Sequence, residues 1–155
     1  MGIHAEVILG LDPGRDKIGF AFADTDKAKS LVMSGILPPR DKDLFWDAVR
    51  GGDFKAFVPW ARETPKEVTS CFRLSLVAVG NGTYGGELDA EARKNVSCDV
   101  VVVDEHGTTL EARSLYWRLH RPVLLQRLLP RSLRVPPRPL DDLAAWAIAL
   151  RCTVP

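Results

Sequence analysis

Apolar positions first become dense at Val7-Ile8-Leu9-Gly10-Leu11, a run that is aliphatic apart from one glycine. A short run with no helical stripe reads as a strand inside a sheet. Residues 6–11 are therefore strand one. Asp12 closes it, and Pro13-Gly14 supplies a turn, because proline presets its backbone and glycine accepts positive φ. Residues 17–24 then alternate, with Ile18, Phe20 and Phe22 on one face and Gly19, Ala21 and Ala23 on the other. The face of small residues predicts a helix packed close against it. Residues 30–37 form strand three after a polar turn and end at Pro38-Pro39. The short links make the three strands an antiparallel meander.

The pattern then changes period. Residues 41–50 read as a helix with Leu44, Phe45, Ala48 and Val49 on one side, broken by Gly51-Gly52. Asp53 can cap a second turn or helix through Phe54, Phe57 and Trp60, whose regularity Pro59 limits. Trp46 and Trp60 read as packing residues. Residues 73–80 are a buried strand after a crossover, which makes it parallel to strand one. Gly80-Asn81-Gly82-Thr83 follows at the strand end where open α/β sheets place ligands. Asn81 and Thr83 there either hold substrate or simply turn the chain. Residues 87–95 form a polar helix and residues 99–103 a fifth strand. Thr108-Thr109-Leu110-Glu111 has the spacing of a capping box for a helix running to about Leu119. Its Leu115, Trp117 and Leu119 do not share a face. A short helix within 122–129 and an arginine- and proline-rich loop at 131–139 precede a last helix that starts at Pro139 or Leu140. The expected fold is α/β: a five-stranded mixed sheet, three strands antiparallel and then two parallel, flanked by helices, as one domain over residues 1–155.

Composition adds little until charge is mapped along the chain. The 155 residues fit one domain with a real core. No apolar run approaches the roughly 18–20 residues of a membrane span, and no leader-like segment opens the chain. Cys71, Cys98 and Cys152 are scattered without metal-ligand spacing and read as small buried side chains in a reducing compartment. The expectation is a cytoplasmic protein away from membranes. The net charge of +1 conceals an asymmetry: from Arg113 to Leu140 there are seven arginines and no Asp or Glu. Arginine without lysine favours planar phosphate contacts, so this segment is the candidate polyanion surface. Arg113, Arg131, Arg134 and Arg138 are its candidate contacts, with Arg15 and Lys17 at the first turn. A solvated hairpin tip is the alternative for the last two.

Acidic residues recur at element ends: Asp12 after strand one, Glu105 after strand five, and Asp141 or Asp142 at the start of the last helix. Each has an ordinary use on its own, as a turn cap, a loop acid or a helix-dipole partner. Converging on one sheet edge, they would repel unless a divalent cation neutralised them, and Mg2+ and Mn2+ prefer such hard oxygen ligands. Two such ions can drive phosphodiester hydrolysis without a protein nucleophile, and no Ser/His/Asp or Cys/His pattern is present. Asp12, Glu105, Asp141 and Asp142 are therefore the candidate catalytic acids. His106 reads as a loop histidine, and His4 and His120 carry no signal.

The Leu11-Asp12-x-Gly14 turn with Lys17-Ile18-Gly19, the Val103-Asp104-Glu105-x-x-Thr108-Thr109-x-Glu111-Ala112 segment and Asp141-Asp142-Leu143-Ala144-Ala145 together resemble the YqgF family. These are bacterial ribonuclease H-like proteins described as Holliday-junction resolvases and as nucleases maturing small-subunit ribosomal RNA. The resemblance spans nearly the whole chain in order. It implies a ribonuclease H-like fold, Mg2+ or Mn2+, and Asp12, Glu105 and Asp141 as metal-binding acids, with Asp142 the alternative to Asp141. Pro13 departs toward the RuvC-type resolvases, and residues 41–65 are longer than in compact members, which makes this chain a divergent relative. The resemblance implies an endonuclease acting on structured RNA, first a ribosomal precursor, with branched DNA as the alternative. A non-catalytic nucleic-acid-binding module and an actin-like phosphotransferase lobe are the rivals. Paired cuts in a junction would require a homodimer.

Overall fold

Strand β1 (Ala5–Asp12) pairs antiparallel with β2 (Ile18–Asp24), and β2 with β3 (Leu31–Leu37), which is the expected meander. The computed structural model describes residues 4–66 and 71–152. On its other side β1 pairs in parallel with β5 (Phe72–Gly80), and β5 pairs in parallel with β6 (Asp99–Val103). The expected arrangement of three antiparallel and two parallel strands is thus present. Among the described residues the sheet has six strands rather than five: with β4 (Ala61–Glu63) the order is β4-β3-β2-β1-β5-β6. The extra strand, β4, is a three-residue edge pairing on β3. Ala-Arg-Glu is too short and too polar to show alternation.

Helices cover both faces. On one, α1 (Lys42–Gly51), a 3₁₀ stretch (Phe54–Trp60) and α2 (Gly85–Asn95) pack on the side of β2 that carries Phe20 and Phe22. Asp53 caps the 3₁₀ stretch as expected, accepting from the Lys55 amide at 2.9 Å. Phe22 packs against Phe54, Phe57 and Phe72 with ring centroids 4.9–5.4 Å apart. Such contacts add to the area the rings bury. Trp46 and Trp60 are buried here, as packing residues.

On the other face lie α3 (Thr108–Leu119) and α5 (Asp141–Arg151). The buried stripe of α3 is Thr108, Ala112, Leu115 and Tyr116, so Tyr116 completes the face that its leucines alone did not define. The capping box does not form. Gly107 takes the cap position at φ 78°, Thr108 is the first helical residue, and its Oγ1 donates to the Glu105 carbonyl at 2.8 Å. Glu111 pairs instead with Arg151 at 2.6 Å. Of the cysteines only Cys152 is buried; Cys71 and Cys98 are half-buried.

Helix α5 lies directly on the small-residue face. A Cβ on Gly10 would stand 2.1 Å from the Ala145 carbonyl oxygen, and one on Gly19 would stand 1.9 Å from that of Asp141. Backbone therefore touches backbone, and Ala144, Ala145, Ala147 and Ala149 share the remaining interface with Leu143, Trp146 and Ile148. The C-terminal end of α5 is held by Lys29, whose Nζ donates to the carbonyls of Leu150 and Cys152. Trp146 Nε1 returns a bond to the Lys29 carbonyl at 2.8 Å. Orphan carbonyls at a helix end are thereby satisfied. Gly10→Ala is expected to lower stability by about 3 kcal/mol, because backbone cannot yield to the new methyl. Gly86→Ala, where an added Cβ meets nothing within 4 Å, should be neutral or stabilise by up to about 1 kcal/mol. Urea denaturation of both variants checks the pair.

Candidate active site

The sheet register sets the site. Leu11 of β1 pairs with Val79 of β5, and Gly80 of β5 pairs with Val103 of β6. The C-terminal ends of three neighbouring strands therefore lie in the order Asp12, Gly80, then the turn that carries Glu105. For Glu105 to approach Asp12, its side chain must cross the end of β5. Gly80 and Gly82 leave the room: a Cβ on Gly80 would lie 2.4 Å from Glu105 Oε2, and one on Gly82 would lie 2.0 Å from Oε1. Asn81 fixes the same turn. Its Oδ1 accepts from the Glu105 amide at 3.2 Å, and its own amide donates to the Val103 carbonyl at 3.0 Å. The Gly80-Asn81-Gly82 loop is thus a cradle for Glu105. Arg151 of α5 holds the Glu105 turn from behind, donating to the carbonyls of Asp104 at 2.8 Å and His106 at 2.6 Å.

Asp141 arrives from above. Its carbonyl rests over Gly19, the residue paired with Asp12 across the hairpin. The three carboxylates are close enough to act on one another. Asp12 is pushed up to about 7, first by burial, then by the charges of Glu105 and Asp141, and last by a hydrogen bond with Glu105. Glu105 Oε2 is buried with no hydrogen-bond partner. Two ionised carboxylates cannot bond to each other, so either one proton or one cation must sit between them. Hard oxygen donors, an excess of negative charge and an orphaned buried acceptor fit Mg2+ or Mn2+. Among the described residues, no group of three His, Cys, Asp or Glu side chains stands in an arrangement that could hold a metal ion.

A cleft of about 250 Å3 opens on Asp12 and Asp141, walled by Thr109 and Arg113 of α3 and by Val135 and Pro136 of the returning chain. Arg113 and Arg131 are exposed, as are Arg15 and Lys17 at the tip of the first hairpin. Arg15 pairs there with Asp16 at 3.5 Å. A smaller cleft, about 170 Å3, lies across the Pro13 turn between Arg15, Lys42 and Tyr84, a residue no local pattern singles out.

Asp142 does not join the other acids. It is 0% exposed, accepts from Ser34 Oγ at 2.6 Å and pairs with Arg138 at 2.8 Å. Arg138 also bonds Glu63 at 2.7 Å, and Glu63 meets His120 Nε2 at 2.6 Å. Consecutive helical residues point about 100° apart, so when Asp141 faces the cleft Asp142 faces the sheet. Two expectations are corrected by this network: Asp142 as a catalytic acid and Arg138 as a free phosphate contact. Arg134 is likewise engaged, donating to the carbonyls of Gln126 at 2.8 Å and Arg127 at 3.2 Å. Ser34, Glu63 and His120 were not legible as partners. The one available signal was Ser34, the single polar side chain in an apolar strand.

Two solved structures are similar in fold to this chain. One is RuvC from Thermus thermophilus, with 18% sequence identity, coverage of 94% of this chain and 91% of that one, and a TM-score of 0.46. The other is T. thermophilus RuvC in complex with a Holliday junction substrate, with the same identity and coverage and a TM-score of 0.44. No protein-family model and no curated protein matches the sequence, the YqgF family included.

Asp12 links the site to pH. Below its ordinary carboxyl range, folded and unfolded chains both hold the proton. As pH rises from about 4 to 7, the unfolded chain ionises while the folded chain stays protonated, so stability falls; above 7 the whole penalty stands. Its size is on the order of 4 kcal/mol. In EDTA, wild type should lose melting temperature across this window, whereas Asp12→Asn should melt higher than wild type at pH 8. Mn2+ should raise the wild-type melting temperature more at pH 8 than at pH 5 and leave Asp12→Asn nearly unmoved. Thermal melts in the two buffers check all three.

Proposed function

We propose that this chain is a metal-dependent nuclease that hydrolyses phosphodiester bonds in structured nucleic acid, with Asp12, Glu105 and Asp141 holding Mg2+ or Mn2+. The single observation that carries the reading is the buried Glu105 Oε2, left without a hydrogen-bond partner and laid across Gly80 beside a strongly shifted Asp12. A structural acid would have been given a donor. A divalent ion bound there supplies an activated water and stabilises the charge on the leaving oxygen.

The chain's own residues contribute position and charge. The Gly80-Asn81-Gly82 cradle orients Glu105. The Asp142–Arg138–Glu63 network fixes the first turn of α5 and so the place of Asp141. Arg113, exposed on the cleft wall, faces the phosphate that flanks the scissile one, while Arg15 and Lys17 flank the other side of the Asp12 turn. The likeness to the Thermus structures does not carry the reading; the carboxylates do. Branched DNA, which the second of those structures contains, is the first substrate to try. A ribosomal precursor rests on the YqgF resemblance alone. Paired cutting of a junction further requires two copies of the site, hence a homodimer.

End-labelled four-way-junction DNA and structured RNA should be cut in Mg2+ or Mn2+ and left intact in EDTA. Asp12→Asn and Asp141→Asn should each lower the rate by about 10²–10³-fold. Asp142→Asn should chiefly lower stability, by about 1–3 kcal/mol, because it weakens the charge-assisted bonds from Ser34 and from half-buried Arg138, which keeps Glu63 as its other partner. Salt-sensitive binding without metal-dependent cutting would leave the binding-module reading instead.

A further inference from the structure

Between α3 and α5 the chain makes an arm, residues 121–136. It contains only α4 (Leu124–Arg127) and a 3₁₀ turn (Arg131–Leu133). It has a defined shape without a core. Arg134 Nε donates to the carbonyls of Gln126 at 2.8 Å and Leu129 at 3.2 Å, tying the outgoing and returning halves together. The apolar side chains are turned to solvent instead: Leu124, Leu125 and Leu128 are 76%, 77% and 79% exposed, and Val135 is 70% exposed. A cluster of this kind on a structured segment marks a contact surface.

Charge and position identify what it contacts. Arg121 and Arg131 stand exposed among these side chains, and no acidic residue occurs between Arg113 and Leu140. Such a surface suits a polyanion. The arm also returns along the cleft: Val135 and Pro136 wall it beside Asp12 and Asp141. A regular duplex presents phosphates to such a surface and leaves the leucines unused. A strand whose bases are unstacked uses both, with arginine on the phosphates and apolar side chains against base faces or between steps. We propose that arm 121–136 grips unstacked nucleotides, at a branch point or single-stranded flank, next to the carboxylate cleft. This deepens the nuclease reading and rests on it for the meaning of the cleft, but it is read out by binding.

The test uses full-length Asp12→Asn protein and a four-way junction carrying 2-aminopurine at the branch, with duplex DNA of equal length as the comparison. Leu124→Ser/Leu125→Ser/Leu128→Ser should keep the parent's melting temperature, since these side chains are exposed. It should bind the junction about 10-fold more weakly, lose the fluorescence rise that reports unstacking, and keep the parent's duplex affinity. Arg121→Gln/Arg131→Gln should weaken both ligands and lower the salt slope by about 1–2. Equal junction affinity and fluorescence in the leucine variant and its parent would overturn the proposal. So would a parent dimer that the leucine variant turns into monomer with junction binding unchanged, which gives the surface to a second copy. Leucine-dependent capture on phosphatidylglycerol vesicles without a junction effect would also overturn it and give the surface to lipid. If wild type fails to cut in Mg2+ or Mn2+ while leucine-dependent junction binding persists, the nuclease reading falls and the arm's role stands.

Discussion

Helix α5 touches the sheet backbone to backbone at Gly10 and Gly19, and the position of every other part of the site follows from that contact. A side chain at either glycine would lift the helix by more than an ångström. The contact puts the first turn of α5 over the end of the first hairpin, and so Asp141 beside Asp12. It also explains why both ends of α5 are tied: Lys29 takes the last carbonyls, while Ser34 and Arg138 take Asp142. Leu143, Trp146 and Ile148 are buried beside the alanines and index the helix on the sheet. Polar locks at its two ends add to that register.

Stability is sacrificed at the sheet edge that this helix covers. Asp12 and Glu105 are brought together with one hydrogen bond between them, and Glu105 Oε2 is left buried without a partner. The surrounding residues enforce the arrangement rather than relieve it. Gly80 and Gly82 make room for the Glu105 carboxylate, Asn81 and Arg151 fix its turn, and no basic side chain is supplied. Arginine is plentiful nearby, yet Arg138 serves Asp142 and Glu63, and Arg134 serves its own arm. The acids of this edge therefore meet one another and no arginine, which is the arrangement the proposed cation would relieve.

Much of this was legible in the chain. Alternation in residues 17–24 gave both the meander and the helix-facing side, because period-two patterning survives wherever the two faces of a strand differ. The order of Asp12, Glu105 and the last-helix acids put the candidate residues at element ends, where Asp12, Glu105 and Asp141 do come together. Other features lacked a local signal. β4 is set by pairing with β3 and not by its own three residues. The capping box at Thr108 was displaced by a left-handed glycine one position earlier. Asp141 and Asp142 are equivalent as letters, and only the phase of α5 on the glycine face separates them. The arginines of 113–140 read as one basic run, yet Arg138 is an ion-pair partner and Arg134 a backbone tie, while the other five are exposed. Side-chain partners 75 residues apart, such as Arg138 and Glu63, leave no trace in spacing.

The central claim is that the edge formed by Asp12, Glu105 and Asp141 is a divalent-cation site. Anomalous diffraction at the manganese edge from crystals grown in Mn2+ tests it most directly. The account predicts an anomalous peak bounded by those three carboxylates, with Asp142 still paired to Arg138. Manganese bound elsewhere, with no peak at that edge, would contradict it.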